Sequence, residues 1–164
     1  MKKRGVGLGI SFYGTGYGNG FPDVSKAKAK LLKEGKIGIF VGATEVGQGA
    51  KTVLTQIAAE TLNLNSSDIV FINEDTTLAP DSGTAAASRQ TYNTGNAIKL
   101  ACEKLHEKLL ELARVELKLN STIGLSMENG YVFVKTLPEK KIYIKELGKI
   151  YGDEKIESEA AFTA

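Results

Sequence analysis

The residues best suited to chemistry fall in two short segments, 42–49 (GATEVGQG) and 82–88 (SGTAAAS). Each is built from glycine, alanine and short polar side chains, and each runs into a stretch of helical periodicity. The first turn of a helix carries backbone N–H groups with no intrahelical partner, at the positive end of the helix dipole, so either segment can cradle an anion. A strand-to-helix turn also favours glycine with no ligand involved, and for one loop alone that plainer reading suffices. Two such loops in one small domain favour a bound polyanion.

A nucleotide is the first polyanion to test. Residues 42–52 (GATEVGQGAKT) nearly spell a P-loop, and residues 69–75 (IVFINED) mimic its acidic partner strand. The phosphate mechanism needs the last glycine directly before Lys and Ser/Thr. Here Ala50 separates Gly49 from Lys51, which turns the helix start by about 100°. Glu45 also sets a negative charge where phosphate would lie. A P-loop-like nucleotide binder is therefore the alternative reading, and it demands magnesium-dependent binding that Lys51→Ala abolishes. Residues 5–9 (GVGLG) echo a dinucleotide fingerprint, but inside a strand-like run instead of between strand and helix.

The other candidates read as structure. Cys102 is the sole cysteine; it excludes an internal disulfide, cannot by itself hold an iron–sulfur cluster or zinc, and falls on an apolar helical stripe as a small core residue. His106, the only histidine, reads as a helix-flank residue. Tyr13 and Tyr17 flank the first glycine-rich stretch and suit edge packing as well as a pocket wall. Glu139, Lys140 and Lys141 beside Pro138 read as a solvated turn. No residue stands out as a catalytic group or a metal ligand.

The elements that must position the two loops follow from pattern. Residues 5–14 (GVGLGISFYG) are strand-like, residues 24–32 alternate small and polar side chains, Glu34 and Gly35 make a tight turn, and residues 36–41 (KIGIFV) return as a hairpin. Val53, Leu54, Ile57, Ala58 and Leu62 recur at helical spacing over residues 50–64. Residues 69–72 form a short buried strand, and Ala97, Ala101, Leu105, Leu109 and Leu112 mark the longest helix, running to about Lys118. Gly95 is a weak point in it, costing about 1 kcal/mol against Ala. The last part reads as a small β-rich unit: residues 124–127, a turn at Asn129 and Gly130, residues 131–136, a short helix over 144–151 and a final strand near 156–162. The expected fold is α+β, a mixed sheet with two main amphipathic helices. Its divisions are a larger part over 1–119 and a β-rich segment over 120–164.

The 164 residues are about one domain's worth, and 42% apolar content can bury a real core. With 21 basic and 19 acidic side chains the formal charge is only +2, so no field favours nucleic acid or an anionic membrane. No run of about 18 apolar residues occurs. A soluble, cytoplasmic protein is expected.

Read together, the loops match a family. Residues 42–49, Thr52, Gln56, Asp75 and Thr76, residues 80–83 (PDSG), residues 85–88 (AAAS) and residues 95–97 (GNA) resemble, in order and spacing, the large molybdopterin-binding subunit of xanthine dehydrogenases and aldehyde oxidoreductases. The likeness extends more weakly to residues 5–16 and the hairpin. Residues 120–164 resemble, least specifically, the segment joining two cofactor-binding halves. Nearly the whole chain is covered, yet it corresponds to well under half of such a subunit.

The resemblance implies roles residue by residue. Gln48 is similar to the glutamine beside the molybdenum, with Gly47 and Gly49 permitting close backbone approach. Ala86 and Ala87 resemble the small residues packed on the metal face. Ser88, Arg89, Gln90 and Thr91 resemble the helix-start residues that bind the pterin's phosphate arm, Arg89 through a charge-assisted bond. The implied cofactor is molybdopterin with molybdenum, the cytosine dinucleotide form included, and the implied reaction is hydroxylation of a purine, another heterocycle or an aldehyde with oxygen from water. Iron–sulfur clusters and FAD would sit on other chains, so the implied partners are the remainder of the molybdenum subunit and iron–sulfur and flavin subunits, with a homo-oligomer also compatible. The family's base glutamate lies in a downstream Gly-Glu motif that nothing between Glu146 and Ala164 matches. The chain alone is expected to hold cofactor weakly and to catalyse nothing, whether it is a piece of a longer protein, one chain of a split subunit or a decayed reading frame. A cofactor-free assembly module is the non-enzymatic alternative.

Overall fold

A computed structural model describes residues 2–152 and 156–164. The hairpin forms as its pattern requires. Strand β1 (Val24–Leu31) buries Ser25, Ala27, Ala29 and Leu31 in strict alternation with its lysines. It turns at Gly35 into β2 (Ile37–Phe40), buried throughout. The two pair antiparallel, and β3 (Ile69–Ile72) pairs parallel to β2 after the chain crosses over through helix α1 (Ala50–Thr61).

The longest element is helix α2 (Gly95–Glu116), entered through a wider π-helical turn, Gln90–Thr94. It buries Ala97, Ile98, Ala101, Cys102, Leu105, Leu109 and Ala113 on one stripe. Small residues dominate both this stripe and the facing side of β1, which lets helix and sheet approach closely. Gly95 has a packing reason for its place: a Cβ there would lie 2.8 Å from Ile57 Cδ1, where α2 crosses α1.

A second sheet is the antiparallel meander β4 (Leu125–Glu128), β5 (Tyr131–Val134) and β6 (Leu137–Tyr143), followed by helix α3 (Ile144–Tyr151). The β4–β5 turn is the expected Asn129-Gly130 pair, both at positive φ. Strand β7 (Glu157–Thr163) closes the main sheet in the order β3-β2-β1-β7. Among the described residues the fold is α+β, a mixed sheet with three α-helices, as its sequence implied.

Three local expectations are corrected. Residues 5–14 carry no secondary structure, and Val6, Leu8, Ile10 and Phe12 are almost fully exposed. A strand needs a neighbour to take its N–H and C=O groups, and none of the described residues supplies one. Glu139, Lys140 and Lys141 lie in β6 instead of a turn: one face of that sheet is solvated, so its charges satisfy a strand as easily as a loop. The final strand, read as part of a small unit with its neighbours, pairs along β1 from Val24↔Thr163 to Lys30↔Glu157.

Candidate functional site

Loop 42–49 leaves β2 and ends at Gly49, whose φ of 84° is left-handed and open to any approach, with nothing within 4 Å of a Cβ placed there. The α1 start that follows is satisfied from within the loop. Glu45 Oε1 accepts the N–H groups of Gly47 (2.7 Å) and Gly49 (3.1 Å), and Oε2 accepts that of Lys51 (2.9 Å). The N–H bonds of Lys51 and Gly49 are the main reasons this carboxyl titrates below the ordinary glutamate value. The cradle that a nucleotide phosphate would need is thus filled by a carboxylate of the same loop.

Gln48 points the other way, across to the second loop. Its Oε1 accepts the Val46 N–H (2.7 Å), and its Nε2 donates to Thr44 O (2.9 Å) and to Gln90 Oε1 (2.8 Å). Gln90 Nε2 donates to the same Thr44 carbonyl at 3.0 Å. The two side-chain amides therefore clasp two loops that lie forty-odd residues apart in sequence.

The second loop is built over a buried arginine. Arg89, 1% exposed, pairs with Asp23 through Nε to Oδ1 at 2.5 Å. Nη1 donates to Ser82 O and Thr84 O, and Nη2 to Val24 O and Ser25 Oγ, so all five guanidinium N–H donors have acceptors. The ring of Tyr17 lies 5.7 Å from the guanidinium carbon, and the Tyr17 hydroxyl bonds Thr84 Oγ1. Gly83 (φ 73°) must be glycine for space as well, since a Cβ would meet Arg89 Nη1 at 2.6 Å. Ser82, also buried, ties the loop to β1 and β2 by accepting Gly42 N–H and donating to Lys26 O.

Above this support, Ala87 and Ser88 sit at φ 48° and 56°, a left-handed conformation that side chains with a Cβ rarely adopt. The Ala87 carbonyl accepts the Gly16 N–H at 2.8 Å, and the chain then enters the helical run at Gln90. Ala85, Ala86 and Ser88 are exposed, and Ala87 is half-buried.

The two loops line one cleft of about 450 Å³, with Gln48, Gly49 and Val53 on one side and residues 85–91 on the other. Of the residues singled out from sequence, Gln48, Gly49, Ala86, Ala87, Ser88, Arg89, Gln90 and Thr91 line it together, while Gly47 serves as a donor to Glu45. Arg89 is corrected in role: its guanidinium is spent beneath the loop, and its backbone N–H goes to Ala86 O, so it has no donor left for a phosphate arm. Asp23 was missed, because nothing local marks a partner that lies 66 residues away. Among the described residues no cluster of His, Cys, Asp or Glu could hold a metal ion. Cys102 is buried, which pushes its thiol up to about 12, and burial lowers the pKa of His106. Neither touches the cleft.

The cleft is walled by glycine and alanine and rimmed by side-chain amides, a hydroxyl and a helix start. The chain belongs to the family of molybdopterin cofactor-binding domains, whose family pattern matches residues 1–164. It is 34% identical over 144 residues to the xanthine dehydrogenase molybdenum-binding subunit of Escherichia coli O157:H7, covering 85% of this chain and 19% of that protein. To the aldehyde oxidoreductase of Megalodesulfovibrio gigas it is 39% identical over 106 residues, 63% of this chain and 12% of that one. The fold superposes on CO dehydrogenase from Oligotropha carboxidovorans with a TM-score of 0.71 at 26% identity, over 85% of this chain and 18% of that one. The chain thus spans about a fifth or less of the length of these relatives. Among the described residues no helix is long and apolar enough to cross a membrane.

Proposed function

We propose that the two loops form one wall of the molybdenum-cofactor site in a xanthine dehydrogenase-like or aldehyde oxidoreductase-like hydroxylase. The observation that carries this reading is the convergence of Gln48 and residues 85–91 on one cleft walled by small side chains. Gln48 would face the metal end and exchange its bond to Gln90 for one to the bound group, Ala86 and Ala87 would leave room at that face, and Ser88 with the helix-start N–H groups at Gln90 and Thr91 would hold the phosphate arm. The bound group would supply two-electron oxidation of an electron-poor carbon in a heterocycle or aldehyde. The residues of this chain that line the cleft would bind and orient that group.

Several finer points belong to the same proposal. The phosphate arm would carry a cytidine nucleotide on the side of Ser88 and Thr91, both of which are exposed. The rest of the molybdenum subunit, together with iron–sulfur and flavin subunits in the cytoplasm, would complete the enzyme. Residues 1–119 would face the cofactor, and residues 120–164 would lead toward the second cofactor-binding half, apart from β7, which returns to β1. The nucleotide-binding alternative loses its support, because Glu45 occupies the N–H groups that a β-phosphate would need.

The test is to express the chain with the adjoining reading frames of its locus and to measure molybdenum and released pterin per purified complex. Near-stoichiometric molybdenum, falling several-fold in both Gln48→Ala and Ser88→Ala, is the expected result. Complexes free of metal and pterin with every neighbour present would refute the reading.

A further inference from the structure

The start of α1 is closed by a charge that belongs to the loop itself, and this has a consequence for Gln48. We propose that Glu45 is a positioning residue: its carboxylate, seated on the N–H groups of Gly47, Gly49 and Lys51, fixes loop 42–49 in the shape that turns the Gln48 side chain toward the second loop.

The geometry leaves the loop little freedom. Two carboxylate oxygens receive three backbone donors at 2.7, 3.1 and 2.9 Å, and bonds of this kind to an ionised acceptor are roughly twice as strong as neutral ones. They bracket Gln48 on both sides, at Gly47 and at Gly49. The Val46 amide in the same turn bonds Gln48 Oε1 at 2.7 Å. With Oε1 pinned in this way, the Gln48 amide can present only its NH2 group to Thr44 O and Gln90 Oε1. The orientation of Gln48 therefore depends on a backbone turn that the Glu45 carboxylate holds. Gly47 and Gly49, at φ 94° and 84°, would otherwise move among many conformations. A carboxylate at a helix N-terminus also gains from the helix dipole, which favours the ionised form. Glutamine at position 45 would keep the shape but offer one acceptor and turn an NH2 group toward a backbone N–H. Aspartate would keep the charge but fall short by one methylene.

The bearing of this on a cofactor rests on the function proposed above, so the experiment uses the cofactor-free chain. In the chain labelled with 13C and 15N, pH is lowered from about 7 to about 3 while the Glu45 carboxyl carbon and the loop amide protons are followed by NMR. The amide protons of Gly47, Gly49 and Lys51 should titrate with one midpoint, shared with the Glu45 carboxyl and lying below the ordinary glutamate range. In Glu45→Gln that titration should vanish, and the Gln48 side-chain amide hydrogens should exchange about threefold or more faster at neutral pH, with the α2 amides unchanged. Separate midpoints in the wild-type chain, or Gln48 exchange unaltered in a folded Glu45→Gln variant, would overturn the proposal. The wild-type titration decides even if the variant fails to fold. Loss of cofactor binding in an enzyme whose Glu45 titration is intact would sink the functional reading and leave this role standing.

Discussion

The two loops that meet in the cleft solve the same problem in opposite ways. Loop 42–49 takes its negative charge from Glu45 and spends its helix-start N–H groups on it, so what it offers the cleft is a side chain, Gln48. Loop 82–88 keeps its charge underneath, in the Asp23–Arg89 pair, and offers a strained backbone and a hydroxyl. The contrast teaches that a glycine-rich turn before a helix is not by itself an anion site. What decides is where the compensating charge sits: within the N–H cradle, as at Glu45, or below the loop, as at Arg89.

The sharpest way to break this comparison is to remove the buried support. Arg89→Met leaves the buried Asp23 without its partner and strands the carbonyls of Thr84 and Val24, while Ser82 O keeps only the Ser25 hydroxyl. Breaking a buried pair from one side costs about 3–5 kcal/mol, so urea unfolding should show a loss of that size, and Arg89→Lys should recover less than half of it because a single ammonium cannot reach five acceptors. Leu109→Ala, on the α2 stripe far from either loop, should cost about 2–5 kcal/mol while leaving the loop resonances in place. Arg89→Met should disturb the resonances of Ala87 and Ser88 as well.

The effect of pH separates the loops further. The folded pKa of Glu45 is lowered by its backbone N–H partners. Its contribution is therefore fully present above the ordinary glutamate range and is lost as pH falls through the lowered folded value. Acidification should mobilise loop 42–49 before loop 82–88, measured as hydrogen exchange at Gly49 against that at Gln90. The smallest effect expected is at Lys51. Neither the wild-type chain nor Lys51→Ala should bind magnesium ATP in calorimetry, because the wild-type cradle is already filled.

How much of this was legible in the sequence depends on how local each feature is. The hairpin, α1, β3, α2 and α3 were readable because their periodicity and turn residues lie within a dozen positions, as with the Glu34-Gly35 turn and the Leu54, Ala58 and Leu62 stripe. The convergence of both loops was anticipated through the family resemblance, not through spacing alone. Strand β6 was hidden because a solvated strand and a charged loop share a composition. The pairing of β7 with β1 and of Asp23 with Arg89 was hidden because it joins distant parts of the chain. Residues 5–14 misled in the opposite direction: Val6, Leu8, Ile10 and Phe12 alternate as a strand should, but alternation does not supply a partner strand. Glu45 was half legible, since its charge beside the helix start was evident while its three hydrogen bonds were not.

The central claim is that both loops contact one cofactor, and it is tested most directly by adding isolated molybdopterin anaerobically to the 15N-labelled chain and mapping the resonances that move. The account predicts that the Gln48 side-chain amide and the backbone amides of Ser88 and Thr91 shift together along one binding curve, however weak. Movement confined to one loop, or no movement in either, would contradict it.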